Sequence, residues 1–151
     1  MKRTWIAVLI IAAFVAESRF TPFGAGLNLT VLFAYWAGIK YGPVHGTLAG
    51  AAIGAVADST AGGILGPFML SKATAGYMAS FLRGGLFMWS PVLGVIGIMV
   101  ITALDGLIAY TCYSVFGQGS AGLGSVSTTI ILQAAMNFWA GLLLRPEDEE
   151  H

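Results

Sequence analysis

The chain has 151 residues, with seven Lys or Arg and seven Asp or Glu, so its formal net charge is zero. Hydrophobic residues make up 57% of the chain and charged residues only 9%, whereas a soluble domain carries about 25% charged residues. Such a chain does not have enough polar side chains to cover a soluble globule, and its balanced charge argues against nucleic acid as a partner. The composition predicts an integral membrane protein that forms a single domain over residues 1–151.

Hydrophobic stretches along the chain predict an all-α protein with about six transmembrane helices. They cover residues 4–16, 27–39, 44–57, 68–82, 91–113 and 123–144, and a short acidic tail follows at 145–151. A spanning helix needs about 20 mostly apolar residues, so the first four stretches are short, and five spans are an alternative to six. The first stretch also fits a signal peptide, because Lys2 and Arg3 precede it and small residues surround Ala16. An uncleaved first helix is the simpler interpretation, since the rest of the chain is also hydrophobic.

Basic residues predict the orientation of these helices. If the N-terminus is cytoplasmic, the basic residues on the cytoplasmic side are Lys2, Arg3, Lys40, Arg83 and Arg145, and only Arg19 lies in an outer loop. Cytoplasmic loops of membrane proteins are enriched in Lys and Arg. The sequence therefore predicts a multi-pass protein of the cytoplasmic membrane with both termini and the acidic tail in the cytoplasm.

A glycine stripe marks the third stretch. Gly46, Gly50 and Gly54 recur every four residues, which places them on one face of a helix. Small residues on one face let two backbones approach closely, and this contact is a main source of helix association in lipid. We therefore expect the third helix to be central in the bundle, and we favour internal packing of the stripe over an interface with a partner.

Three acidic or basic residues within the hydrophobic region need an explanation: Asp58, Lys72 and Asp105. A charge at the centre of a membrane costs about 2.5–3.5 kcal/mol on insertion scales. Lys72 and Asp105 lie at a similar predicted depth, so we expect an internal ion pair between them, with a role in ligand binding or ion movement as the alternative. Asp58 is predicted to end the third helix and to cap the start of the fourth or organise the loop between them.

No sequence pattern indicates catalysis. The chain has no zinc-protease motif, no phosphate-binding loop and no paired carboxylates at a plausible site. A single cysteine, Cys112, excludes an intramolecular disulfide and a cysteine-rich metal site. We expect the protein to have no enzymatic activity and to need no cofactor or metal.

The central segment contains a series of short motifs. A Gly-Pro pair precedes a glycine-rich stretch that closes on an Asp, a Gly-rich turn ending in Leu-Gly follows, and the next stretch contains a Gly-Tyr pair. The residues concerned are Gly42, Pro43, Gly50, Asp58, Gly63, Leu65, Gly66, Gly76 and Tyr77. This pattern resembles that of the MreD family of bacterial shape-determining membrane proteins. The rest of the chain matches only in hydropathy, and the acidic tail has no counterpart in the family.

The resemblance implies a non-catalytic component of the machinery that elongates the bacterial cell wall. Such a protein binds MreC in the inner membrane, in contact with membrane lipid. It works with the filament protein MreB and with the wall-synthesising pair of RodA and a class B penicillin-binding protein. Asp58, Gly63, Gly66 and Tyr77 are the residues that the resemblance ties most closely to this function, as contacts for a partner or as loop residues.

The MreD fold is also similar to that of the substrate-binding membrane subunits of energy-coupling-factor transporters. A subunit of this type that binds a vitamin or a metal is therefore the alternative function. The predicted outer loops argue against it, because they are short and poor in polar residues of the kind that a ligand pocket normally offers. A channel or ion transporter is less favoured still, since few intramembrane polar residues mark a pathway.

Overall fold

The computed structural model describes residues 2–19, 28–61, 64–82, 90–116 and 122–143. Within these ranges the protein has six α-helices and no strand: α1 (Lys2–Arg19), α2 (Thr30–Tyr41), α3 (Pro43–Ala61), α4 (Pro67–Ala79), α5 (Pro91–Val115) and α6 (Leu123–Leu143). One turn of 3-10 helix, Ser80–Leu82, extends α4. The all-α prediction is confirmed, and each predicted hydrophobic stretch corresponds to one helix. Gly63 and the acidic tail at 145–151 lie outside the described residues.

Two Gly-Pro pairs separate the central helices. Gly42 has a φ of 86° and Gly66 a φ of 142°. Residues with a Cβ rarely adopt positive φ values of this kind. Pro43 and Pro67 are the first residues of α3 and α4. The first N–H groups of a helix have no partner within the helix, so the N–H that proline lacks is not missed there. A Gly-Pro pair therefore lies at the start of both α3 and α4.

Most helix boundaries differ by a few residues from the predicted ones, and two of these differences have a visible cause. Asp58 does not end α3, which continues to Ala61, because the Asp58 carboxylate bonds the backbone of the next helix and leaves its own helix undisturbed. The second stretch becomes helical only at Thr30. Asn28 and Leu29 precede the helix, and the side chain of Asn28 is held by residues of α4 and α5.

The glycine stripe of α3 packs against the neighbouring helices. A Cβ added at Gly50 would overlap the carbonyl oxygen of Lys72, and one at Gly46 would lie 2.6 Å from the carbonyl oxygen of Gly76. The stripe therefore serves internal packing, as favoured from the sequence. The prediction that α3 is central is wrong: its main neighbours are α2 and α4, and these two helices also contact α5. The reason is that the glycines occupy one face only, so the opposite face of α3 remains outside.

Apolar side chains cover much of the outer surface of the bundle. On α5, Val92, Ile96 and Val100 are 66%, 53% and 51% exposed. The side chains buried instead include seven polar or charged ones: Thr30, Asp58, Ser71, Lys72, Thr102, Asp105 and Asn137. Soluble proteins rarely bury Lys or Asp fully and rarely expose large contiguous apolar surfaces. The described residues also form an apolar core that includes Val31, Tyr35 and Ile98, so the departure from the soluble pattern lies in the exposed apolar surface and the buried charges.

Only one helix among the described residues is both long enough and apolar enough to cross a membrane by these two criteria alone. This segment is Val92–Val115 in α5, with 24 residues and a mean hydropathy of 2.3. α2 and α4 have only 12 and 13 residues, which corresponds to about 18–20 Å at a rise of 1.5 Å per residue. Length and hydropathy therefore support membrane association through α5, and the other five spans stay predictions.

Candidate functional site

An ion pair lies at the centre of a buried group of polar side chains. Lys72 Nζ on α4 is 3.4 Å from Asp105 Oδ2 on α5, and the two side chains are 2% and 1% exposed. The structure thus brings together the two charges that the sequence places at similar depth. A buried charge is tolerated when it is paired and hydrogen-bonded, so each residue makes the burial of the other less unfavourable.

Asn28 connects both members of the ion pair to the start of α2. Its Oδ1 accepts a hydrogen bond of 3.0 Å from Lys72 Nζ, and its Nδ2 donates one of 2.6 Å to Asp105 Oδ2. An amide side chain has an acceptor at one end and donors at the other, so it can bond a cation and an anion at the same time. Asn28 therefore ties the residue before α2 to both α4 and α5.

Asn137 adds α6 to this group. Its Nδ2 donates to the backbone carbonyl oxygen of Asn28 at 3.1 Å and to Thr102 Oγ1 at 3.2 Å. Asn137 is 2% exposed and Thr102 is fully buried. We refer to Asn28, Lys72, Thr102, Asp105 and Asn137 as the polar cluster, which joins the start of α2 to α4, α5 and α6.

Glu17 of α1 caps the start of α2 beside the polar cluster. Its Oε1 accepts hydrogen bonds from the backbone N–H of Thr30 at 2.8 Å and from the Thr30 hydroxyl at 3.0 Å. The first N–H groups of a helix have no partner within the helix, and a carboxylate there also interacts favourably with the helix dipole. A side chain of α1 thereby supplies a hydrogen-bond acceptor to the first turn of α2.

Asp58 caps α4 in the same way. Its Oδ2 accepts from the N–H groups of Gly66 and Met69 at 2.8 and 3.0 Å, and its Oδ1 accepts from the N–H of Phe68 at 2.9 Å. The residue is 1% exposed. Asp58 therefore organises the turn before α4, and its carboxylate is not presented to a partner.

The remaining residues tied to family function do not form a single site. Gly66 lies in the turn that Asp58 organises, whereas Tyr77 lies in the last turn of α4, about 15 Å further along at 1.5 Å per residue. Tyr77 is 46% exposed, and its ring packs edge to face against Phe81 at 5.2 Å between ring centroids. The Tyr77–Phe81 pair is therefore an exposed aromatic surface at the other end of α4 from Asp58.

A cavity of about 510 Å³ lies beside the polar cluster. The C-terminal parts of α1, α3 and α5 and the N-terminal parts of α4 and α6 line it, together with the start of α2, as expected of helices that alternate in direction. Its polar lining residues are Glu17, Asn28, Thr30, Thr60, Lys72, Asp105, Ser125, Thr129 and Gln133, and its aromatic ones are Phe14, Phe68 and Tyr113. The cavity therefore combines charged, neutral polar and aromatic groups.

One oxygen in this wall lacks a hydrogen-bond donor. Asp105 Oδ1 is buried and accepts no hydrogen bond from the described part of the chain, whereas Oδ2 accepts from both Lys72 and Asn28. A buried acceptor without a donor costs about 1–3 kcal/mol, and more when it is charged. Asp105, which lines the cavity, therefore keeps one acceptor oxygen that no described residue uses.

Sequence reasoning identified Lys72 and Asp105 but missed the neutral members of the polar cluster. Asn28 and Asn137 are amides in otherwise apolar surroundings, and an intramembrane polar side chain needs a partner. That signal was available in the sequence. The predicted outer loops are poor in polar residues, and for this reason a ligand pocket was not expected. Most polar groups of the cavity are supplied by the helices themselves.

Comparisons with protein-family profiles, with curated proteins and with solved structures find no match to this chain. The functional assignment therefore depends on the sequence and on the geometry of the site.

Proposed function

We propose that the chain is a multi-pass protein of the bacterial cytoplasmic membrane that acts, without catalysis, in cell-wall elongation. It would be of the MreD type, binding MreC and, through it or beside it, MreB and the RodA and class B penicillin-binding protein pair. The observation that supports this proposal most is that the residues matching the MreD pattern build one structural unit, formed by α2, α3 and α4.

Five of the matching residues have a physical task in this unit. Gly42 and Gly66 supply the backbone conformations of the two turns, and Asp58 caps α4. Gly50 and Gly76 lie where a Cβ would overlap a backbone carbonyl of the facing helix. These roles fit the proposal, because the residues of the pattern serve the turns and the close packing of one unit.

The outward-facing apolar side chains support the proposal of several membrane spans. On α1, Val8, Ile11 and Val15 are 55%, 63% and 56% exposed and recur at the spacing of one helix face. In water this face would be unfavourable, whereas lipid is as apolar as these side chains. α2 and α4 are shorter than the hydrocarbon core of about 30 Å, so their first N–H groups would lie below the membrane surface. The side-chain caps from Glu17 and Asp58 fit that placement, because they supply acceptors to the N–H groups at those helix starts.

Cysteine labelling tests the proposed topology. In a Cys112→Ser background, Ser59→Cys places a thiol at an exposed position near the end of α3 proposed to face outward, and Tyr41→Cys places one at the opposite, cytoplasmic end. A membrane-impermeant maleimide should label Ser59→Cys in intact spheroplasts and Tyr41→Cys only after lysis. The reverse pattern, or equal labelling of both before lysis, would contradict the topology.

Co-purification tests the proposed partners. The tagged full chain, extracted in mild detergent from its native bacterium, should recover MreC and the wall-synthesis proteins, as identified by mass spectrometry. Tyr77→Ala removes an exposed ring in the motif region and should reduce recovery of MreC severalfold. Ile131→Ala, a 66% exposed position on α6, serves as the matched control and should not reduce it.

The cavity beside the polar cluster favours a second candidate, a substrate-binding membrane subunit of an energy-coupling-factor transporter. The predicted orientation would open this cavity toward the outer side, where such a subunit takes up its solute. In the same co-purification this candidate predicts recovery of a transporter core with its ATPases and no MreC. That result would overturn the cell-wall proposal.

A further inference from the structure

The cavity has more carboxyl groups than ammonium groups. Glu17 and Asp105 supply two carboxyl groups, and Lys72 supplies one ammonium group. Lys72 and Asp105 are 2% and 1% exposed, and charges interact more strongly in such a buried place than in bulk solvent. A cation would find more carboxyl groups than competing ammonium groups here, whereas an anion would find a single cation that Asp105 already pairs.

The unsatisfied oxygen gives the positive charge a position. Asp105 is 1% exposed, lines the cavity, and has one oxygen without a donor from any described residue. An N–H group of a ligand would supply this missing hydrogen bond, and a charged donor would form the stronger bond. The Lys72 ammonium group contacts the other oxygen, Oδ2, at 3.4 Å.

Aromatic rings form the apolar part of the cavity wall. Phe68 and Tyr113 pack edge to face at 5.6 Å between centroids, and Phe14 lies in the same wall. Lys72 Nζ already lies 5.5 Å from the centroid of the Phe68 ring. Rings at this distance attract cations through their faces and also accept apolar groups. The volume of about 510 Å³ falls within the range of small-molecule sites.

We propose that this cavity binds a small organic cation, namely a primary amine with an apolar body. Its ammonium group donates a hydrogen bond to Asp105 Oδ1, and its apolar part lies against Phe14 and Tyr113. A divalent metal ion fits less well, because the described residues include no group of three His, Cys, Asp or Glu side chains placed to hold a metal. The assignment concerns the cavity itself and does not depend on which assembly the chain joins.

Three probes of similar shape and different charge test the proposal: benzylamine, benzyl alcohol and benzoate. Each is titrated into the purified full chain in mild detergent, with calorimetry and thermal unfolding as readouts. Benzylamine should bind saturably and raise the unfolding midpoint. Benzyl alcohol should bind at least tenfold more weakly, and benzoate should show no saturable binding. Equal binding of benzoate or benzyl alcohol, or no saturable binding of benzylamine, would overturn the proposal.

Variants locate the binding. Asp105→Asn should weaken benzylamine binding at least tenfold, whereas Thr111→Val, at an exposed position of the same helix whose hydroxyl bonds only its own helix, should leave binding unchanged. Because Asp105→Asn also disturbs the ion pair, Ala57→Leu provides a second test that keeps every charge and narrows the cavity. It should abolish benzylamine binding in a chain that still unfolds cooperatively. Unchanged benzylamine binding in Ala57→Leu would overturn the proposal even if Asp105→Asn does not fold.

Discussion

Asp58 is the residue whose replacement tests the architecture of the motif region most sharply. Its two carboxylate oxygens accept three backbone hydrogen bonds at the start of α4, from Gly66, Phe68 and Met69, with lengths of 2.8–3.0 Å. Asp58→Ala removes all three acceptors and leaves three N–H groups without a partner. The helix start loses in addition the favourable interaction of a carboxylate with its dipole.

The expected loss of stability follows from these contacts. Leaving a buried donor unpaired costs about 1–3 kcal/mol. Gly66 and Met69 are only partly buried or exposed, so solvent or headgroups replace some of their lost bonds, and we expect a total of about 3–4 kcal/mol. At roughly 2–4 °C per kcal/mol for a chain of this size, Asp58→Ala should lower the unfolding midpoint by roughly 6–15 °C. Asp58→Asn keeps one acceptor oxygen and should cost about half as much.

Thermal unfolding of the purified full chain in mild detergent measures this effect through tryptophan fluorescence and circular dichroism. Ser59→Ala is the matched control: its exposed hydroxyl bonds only the carbonyl of Ala55 in its own helix, and its loss should stay within about 0.5 kcal/mol. If Asp58→Ala costs no more than Ser59→Ala, the carboxylate does not hold the start of α4, and the reasoning about the motif is refuted.

Three further stability predictions use the same unfolding assay. Lys72→Met leaves the Asp105 carboxylate buried without its cation and should cost about 3–5 kcal/mol. Gly50→Ala forces α3 away from the α4 backbone and should cost about 1–3 kcal/mol, whereas Gly124→Ala, with nothing within 4 Å of the added Cβ, should be neutral or stabilise its helix by up to about 1 kcal/mol. Asn137→Leu removes two donated hydrogen bonds and should cost about 1–3 kcal/mol.

Each of these predictions has an outcome that contradicts it. A loss below about 1 kcal/mol for Lys72→Met would mean that the ion pair does not stabilise the bundle. Equal effects at Gly50 and Gly124 would mean that close backbone approach does not require the glycine stripe. An unchanged midpoint for Asn137→Leu would show that the bonds of Asn137 do not connect α6 to the polar cluster.

Helix existence was predictable because the hydrophobic stretches are separated by charged residues and by Gly-Pro pairs. Local signals of this kind depend only on neighbouring residues. The role of Asp58 as a cap of α4 was predicted and is confirmed by its bonds to N–H groups eight to eleven residues further on. The end of α3 was mispredicted, because a residue that caps the next helix need not end its own. An acid near a helix end looks the same in sequence whether it ends its own helix or caps the next.

The Lys72–Asp105 ion pair was predictable because charges are rare in this chain and these two share a depth. The neutral amides were harder, since Asn28 and Asn137 can donate to and accept from almost any polar group. The cavity itself was not predictable, because its volume depends on how six helices are placed relative to one another. The periodicity of apolar residues indicates which face of a helix is buried, but it does not determine how the helices are placed relative to one another.

Depletion of the chain from its native bacterium tests the central claim most directly. Microscopy would follow cell width, and a fluorescent D-amino acid would report where new wall is inserted. The proposed role in wall elongation predicts that cells become wider and rounder and that insertion along the side wall falls before growth stops. Cells that keep their width and their pattern of wall insertion after the chain is gone would contradict the proposed function.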